Sequence, residues 1–151
     1  MNYLLYGGAR NTGKSQSIYR ITNFLIDIKN YTLIDGVFPS KFLDFTCVLE
    51  KGDNKILIQS GTDTVKLIIE LKRQRDINKG ITHIITANRN KSDYMRGRFS
   101  QILDIKPTDY VFEIPLGKVV RGNTRNINLN WYLEGILNIS KKIIKIPKFN
   151  F

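Results

Sequence analysis

Apolar residues along this chain fall into two periods, and the switch between them marks the elements. Residues 2–7 begin with an unbroken apolar run, Tyr3-Leu4-Leu5-Tyr6, which predicts a strand covered on both faces. Ile18, Ile21, Leu25 and Ile28 then recur at helical spacing and predict a helix over about residues 13–28, with Lys29-Asn30 as its end signal. Residues 31–38 read as a short second strand, with Asp35-Gly36 as a turn or bulge inside it and Pro39-Ser40 breaking it. Residues 41–44 are a connector, with Asp44 read as solvated. Two β-rich runs, 45–50 and 55–60, flank Lys51-Gly52-Asp53-Asn54 and predict a hairpin. Its second run holds Ile56-Leu57-Ile58 and reads as a central strand, which makes the first its antiparallel neighbour.

The second half repeats the alternation. Residues 61–64 form a turn into a helix that runs to about 78, with Thr62 or Asp63 as its N-cap and Lys72, Arg73 and Arg75 near its carboxyl end, where they complement the helix dipole. Residues 81–87 are β-branched and strand-like, 88–92 are polar loop, and 94–103 form a short helix bearing Arg96 and Arg98. A strand over 110–116, a basic loop over 117–126 with Arg121 and Arg125, and a helix over about 129–139 follow. The tail from 143 to 151 either adds an edge strand or packs across the body. Strand followed by helix, repeated, predicts a doubly wound α/β fold, mostly parallel with an antiparallel hairpin strand, as one domain over residues 1–151. Ligands of such sheets bind beyond the carboxyl ends of the strands, so the residues just after each strand are the candidates for chemistry.

The residues after the first strand are Gly8-Ala9-Arg10-Asn11-Thr12-Gly13-Lys14-Ser15. They satisfy G-x-x-x-x-G-K-[ST] between a strand and a helix, the context in which that spacing has a mechanism. Glycines let the loop backbone approach a phosphate, and the loop amides and the helix dipole converge on it. Lys14 supplies an ammonium for the β- and γ-phosphates, and Ser15 a hydroxyl for Mg²⁺.

On these residues the chain resembles the P-loop (Walker A) NTPase superfamily, specifically over residues 2–29 and diffusely beyond. The resemblance implies a three-layer α/β/α fold and binding of ATP, with GTP as the alternative, together with Mg²⁺. It makes Gly8, Ala9, Arg10, Asn11, Thr12, Gly13, Lys14 and Ser15 the nucleotide-binding loop, and Ser15 a metal ligand. The chain departs from the pattern at one place: the hydrophobic strand 55–60 ends in Gln59-Ser60, where P-loop enzymes usually place a carboxylate. Asp63 is the nearest carboxylate downstream, read either as the second metal residue or as a helix cap, while Asp35 reads as a turn residue.

After the strand 81–87 come Asn88, Arg89, Lys91, Arg96 and Arg98. This arrangement looks like the arginine-bearing lid of P-loop kinases, which closes on the transferred phosphoryl group, and Arg89 and Arg98 are the catalytic candidates beside Lys14. Asn88 also resembles the polar sensor of AAA-type ATPases, whose strand ends in a similar T-x-N-R pattern. Cations spread over the equatorial oxygens serve both. Asn90-Lys91-Ser92-Asp93 matches the guanine-reading N-K-x-D by letter, without the D-x-x-G that small GTPases also need. His83 and Cys47 read as buried strand residues, and Trp131, Tyr132 and Phe149 as core.

Composition narrows the field. The 151 residues are 42% hydrophobic and 25% charged, ordinary for a globular domain. One cysteine excludes an internal disulfide framework and a cysteine zinc site. The first strand begins at once, so no signal peptide is expected, no apolar run is long enough for a membrane span, and a cytoplasmic location follows. A net charge of +11 suits an anionic partner beyond the nucleotide, either nucleic acid or an acidic protein. Two functions compete: a kinase or ATPase acting on the γ-phosphoryl group, and a nucleotide-binding regulatory or assembly module with little turnover, acting on nucleic acid in a viral or mobile-element system.

Overall fold

The computed structural model describes residues 1–89, 93–119 and 125–150; Asn90, Lys91, Ser92 and Arg121 lie outside the described residues. Strands β1 (Asn2–Gly8), β2 (Thr32–Gly36), β3 (Thr46–Lys51), β4 (Asn54–Gln59), β5 (His83–Arg89) and β6 (Tyr110–Leu116) alternate with helices α1 (Lys14–Asp27), α2 (Val65–Ile77), α3 (Asp93–Ile102) and α4 (Arg125–Ile143). The strands form one sheet in the order β2-β3-β4-β5-β1-β6. β1 pairs in parallel with β5 and β6, and β4 with β5, whereas β2–β3 and β3–β4 are antiparallel. The sheet is therefore mixed, not mostly parallel. The hairpin accounts for one antiparallel pairing; the other arises because β2 lies on the outside of β3, where a chain returning from α1 meets the free edge of the hairpin.

Side-chain alternation explains why β1 and β4 are apolar throughout. Tyr3, Leu5 and Leu57 face one core, shared with Ile68 and Leu71 of α2 and Phe99 of α3. Leu4, Tyr6, Ile56 and Ile58 face the other, shared with Ile18, Ile21 and Leu25 of α1 and Ile136 of α4. Each strand thus has helices on both of its faces, and neither face tolerates polar residues. The edge strand β2 is exposed along its length, and a register shift between Leu33 and Asp35 marks the irregularity expected there. Tyr6 stays protonated: burial raises its pKa, and its hydroxyl donates to Ser140 Oγ at 2.7 Å.

Two smaller expectations are corrected, and the choice left open for the tail is decided. The cap of α2 is Thr64, whose side chain accepts from Leu67 N at 3.3 Å, instead of Thr62 or Asp63. Thr62 donates to Ala87 O on β5 and so ties the turn to the neighbouring strand. Trp131 is not core but 76% exposed on α4, because it lies on the face of that helix turned away from α1. The tail packs across the body without adding a strand: Ile144 and Phe149 are buried, and Phe149 meets Tyr110 edge-on at 5.4 Å. His83 and Cys47 are buried as expected. Asn2 Nδ2 lies 3.0 Å from His83 Nε2, and Thr82 Oγ1 lies 2.8 Å from Nδ1 while donating to Lys55 O. Both ring nitrogens of this buried histidine therefore have polar neighbours.

Candidate nucleotide-binding site

The parallel strands β1, β4, β5 and β6 end at one edge of the sheet. In register, Gly7 lies beside Asn88 and Gly8 beside Arg89 on one flank, and Gly8 beside Leu116 on the other. The loop from Ala9 to Gly13 leaves this edge and turns into α1. Asn11 (φ 62°) and Gly13 (φ 85°) both take left-handed backbone, and Gly13 is the residue that starts the helix: Ser17 N donates to its carbonyl at 2.8 Å. Thr12 is buried and donates to Ala9 O at 3.0 Å, which closes the loop on itself.

Lys14 occupies the centre of this loop. Only 7% exposed, its Nζ donates to Gly8 O at 3.1 Å and to Ala9 O at 2.7 Å. Burial holds its pKa below the ordinary lysine value; the Asp63 carboxylate opposes that shift and the Arg89 charge adds to it. The hydrogen bonds of Lys14 go to neutral carbonyls, and Asp63 is the carboxylate within electrostatic reach. Arg89 Nε is enclosed without a hydrogen-bond partner among the described residues. Lys14 at the start of α1 and Arg89 at the end of β5 form a donor set that fits a phosphate chain.

Arg10, Asn11, Thr12, Lys14, Ser15 and Asp63 line a cavity of about 250 Å³ at the loop, together with Phe42. Ser15 Oγ donates to Ser60 O at 3.1 Å, so the hydroxyl expected to serve a metal is held against the end of β4. Ser15 and Asp63 line one cavity, so they are the side chains that could reach a Mg²⁺ there. Among the described residues no three metal-ligating side chains gather, and a Mg²⁺ at this edge would take its remaining ligands from phosphate oxygens and water.

The residues at the end of β4 explain the missing strand-end carboxylate. Gln59 is buried with its side chain toward α2, and its Nε2 donates to Gly61 O at 2.8 Å and Leu67 O at 2.9 Å. A carboxylate cannot donate to two carbonyls, so this position holds the turn into α2 and not a metal. Ser60 Oγ accepts from Phe45 N at 2.9 Å and donates to Asp44 Oδ1 at 3.0 Å. Asp44 is thus exposed but engaged, contrary to the reading of it as merely solvated. Asp35 accepts from Asn78 Nδ2 at 2.9 Å and takes no part in the loop cavity.

The arginines after β5 separate. Arg89 stands at the strand end within electrostatic reach of Lys14. Arg96 is turned to Glu113 of β6 at 2.8 Å. Arg98 is exposed on α3 and does not line the loop cavity; Phe99 and Leu103, which follow it, anchor that helix end in the core. Two participants escaped the sequence reading. Glu113 sits mid-strand, with nothing in its local pattern to mark the partner on α3. Phe42 lies in the short connector Lys41-Phe42-Leu43-Asp44, which has no periodicity to mark a role. Compared with known proteins, the chain matches no family model, no curated protein and no solved structure. No helix among the described residues is long and apolar enough to cross a membrane.

Proposed function

We propose that this protein binds a nucleoside triphosphate, ATP before GTP, with Mg²⁺ at the loop of residues 8–15 in a P-loop-like three-layer α/β/α domain, and that it cleaves or transfers the γ-phosphoryl group. The observation that carries the reading is the buried Lys14, hydrogen-bonded to neutral carbonyls, in a loop cavity at the carboxyl edge of the sheet. Hydrolysis is favoured over transfer to a small acceptor by the position of β5 between β1 and β4. That order sets Asn88 and Arg89 directly beside Gly7 and Gly8, where an amide can orient a water and a guanidinium can meet charge on equatorial oxygens. A mobile lid over 89–98 is supported less, since Arg96 is paired and the end of α3 is anchored.

The second reading, a regulatory or assembly module with little turnover, is favoured by Gln59-Ser60 at the end of β4. Arg10, Lys41, Lys66 and Lys118 extend positive charge along the same edge, which suits nucleic acid more than an acidic protein because a phosphate backbone is a continuous anion. Steady-state hydrolysis of Mg-ATP with and without DNA, followed by a panel of nucleoside monophosphates as acceptors, separates these outcomes. Under the ATPase reading Arg89→Ala lowers turnover about tenfold or more and leaves calorimetric ATP affinity nearly unchanged. Tight ATP binding without turnover, together with salt-dependent DNA binding, selects the module.

A further inference from the structure

We infer that the groove between α1, α4 and the 37–45 connector seats the base of the bound nucleotide, with Phe42 as its stacking wall. The inference rests on the nucleotide reading of the loop and adds to it the part of the ligand that the loop itself cannot recognise. The loop cavity has a neighbour of about 230 Å³, lined by Gln16, Tyr19, Arg20, Phe42, Asn130 and Leu133. Gln16 and Phe42 line both cavities, so the two adjoin along these side chains. Each alone is smaller than the usual ligand site, and joined they fall within its range of roughly 300–1,000 Å³. From Lys14 to Arg20 the helix advances about 9 Å at 1.5 Å per residue, a length suited to a ribose and base leaving the phosphates.

The walls have the chemistry of a base site. Phe42 is held from behind: Tyr19 stacks on Phe38 at 5.1 Å, packs against Phe45 at 6.2 Å, and donates its hydroxyl to Pro39 O at 3.2 Å. Phe42 meets Tyr19 at 5.8 Å with ring planes 74° apart and keeps 42% of its surface exposed, so ring surface remains open to the groove. Opposite it, Arg20 Nη2 donates to Asn130 Oδ1 at 3.3 Å. With Oδ1 accepting from Arg20, the Asn130 Nδ2 and the remaining guanidinium N–H groups are the donors this wall can offer to the ring nitrogens and carbonyls of a base edge. Leu133 supplies an apolar floor that reaches the loop itself, since its Cδ2 lies 3.1 Å from where a Cβ on Gly13 would be.

Calorimetry with Mg-ATP and with magnesium tripolyphosphate, which has the phosphates and no base, tests the inference. Wild type should bind ATP more tightly than tripolyphosphate. Phe42→Ala should weaken ATP roughly five- to 150-fold, the range of a lost base-stacking contact, and leave tripolyphosphate unchanged; Asn130→Ala should lose ATP selectively as well. Thermal melts of both variants establish that they fold. Equal loss for ATP and tripolyphosphate, or no loss for either, overturns the base site while the loop keeps its phosphates. A wild-type protein that binds neither ligand removes the nucleotide reading, and this inference with it.

Discussion

Lys14→Met tests whether the loop is built for a ligand or for itself. The substitution keeps an unbranched chain of similar length and removes one charge and two hydrogen bonds, to Gly8 O and Ala9 O. Hydrogen bonds from a charged donor each contribute roughly 1.5–3 kcal/mol. Against them stands the desolvation of an ammonium only 7% exposed, an effective cost of several kcal/mol. The terms are similar in size and opposite in sign, so unfolding in urea should shift by no more than about 1–2 kcal/mol in either direction, a few degrees in Tm for a chain of this size. Ligand binding has no such cancellation. Leaving a phosphate chain without its buried counter-charge costs about 3–5 kcal/mol, so Mg-ATP affinity measured by calorimetry should fall by two orders of magnitude or more. The pH dependence carries a second signature. Because the folded pKa of Lys14 is lowered, the unfolded chain binds more protons between the folded value and the ordinary one near 10.5. Stability therefore rises with pH through that window in wild type, and this contribution is absent in Lys14→Met. ATP affinity unchanged in the variant would refute the phosphate role. Loss of several kcal/mol of stability along with ATP binding would make Lys14 a structural clamp for the loop.

Other expectations follow from single contacts. A Cβ on Gly7 would sit 1.7 Å from Glu113 Oε1, so Gly7→Ala should displace the carboxylate from Arg96 and cost roughly 1–3 kcal/mol; adding Glu113→Ala should recover most of that in urea titrations, and an equal cost in both backgrounds would dismiss the contact. Burial lowers the His83 pKa to about 4, against about 6.5 in the unfolded chain. The unfolded state then binds the extra proton between these values, so stability should fall as pH drops from about 6.5 to about 4 at up to about 1.4 kcal/mol per pH unit and level off below; His83→Gln should remove that part of the slope. Thr64→Ala should cost about 1 kcal/mol as a lost helix cap, whereas Asp63→Asn should change stability by less than about 0.5 kcal/mol and weaken the Mg²⁺ dependence of nucleotide binding. An equal loss of stability in both would return Asp63 to a capping role.

The elements themselves were legible in the chain because each is specified by its own periodicity. Consecutive Tyr3-Leu4-Leu5-Tyr6 suits a strand with helices on both sides, Ile18, Ile21 and Leu25 share one helical face, and Lys51-Gly52-Asp53-Asn54 closes a hairpin. The spacing Gly8…Gly13-Lys14-Ser15 was equally local, since its fixed positions fall within eight consecutive residues. What the sequence left open depended on neighbours far away along the chain. The sequence pointed to Thr62 or Asp63 as the cap of α2; the carbonyl of Ala87 engages Thr62, the loop cavity takes Asp63, and the cap is Thr64. Gln59 looked like a missing carboxylate until its amide was placed between two carbonyls of the α2 turn. Strand order set Arg89 beside Gly8, and Glu113 drew Arg96 away from it. Phe42 reached the loop only because Tyr19, Phe38 and Phe45 fold the connector back over α1. Backbone geometry repeats every two or 3.6 residues and leaves its record in the sequence, whereas a side chain's partner across the fold has no period to leave.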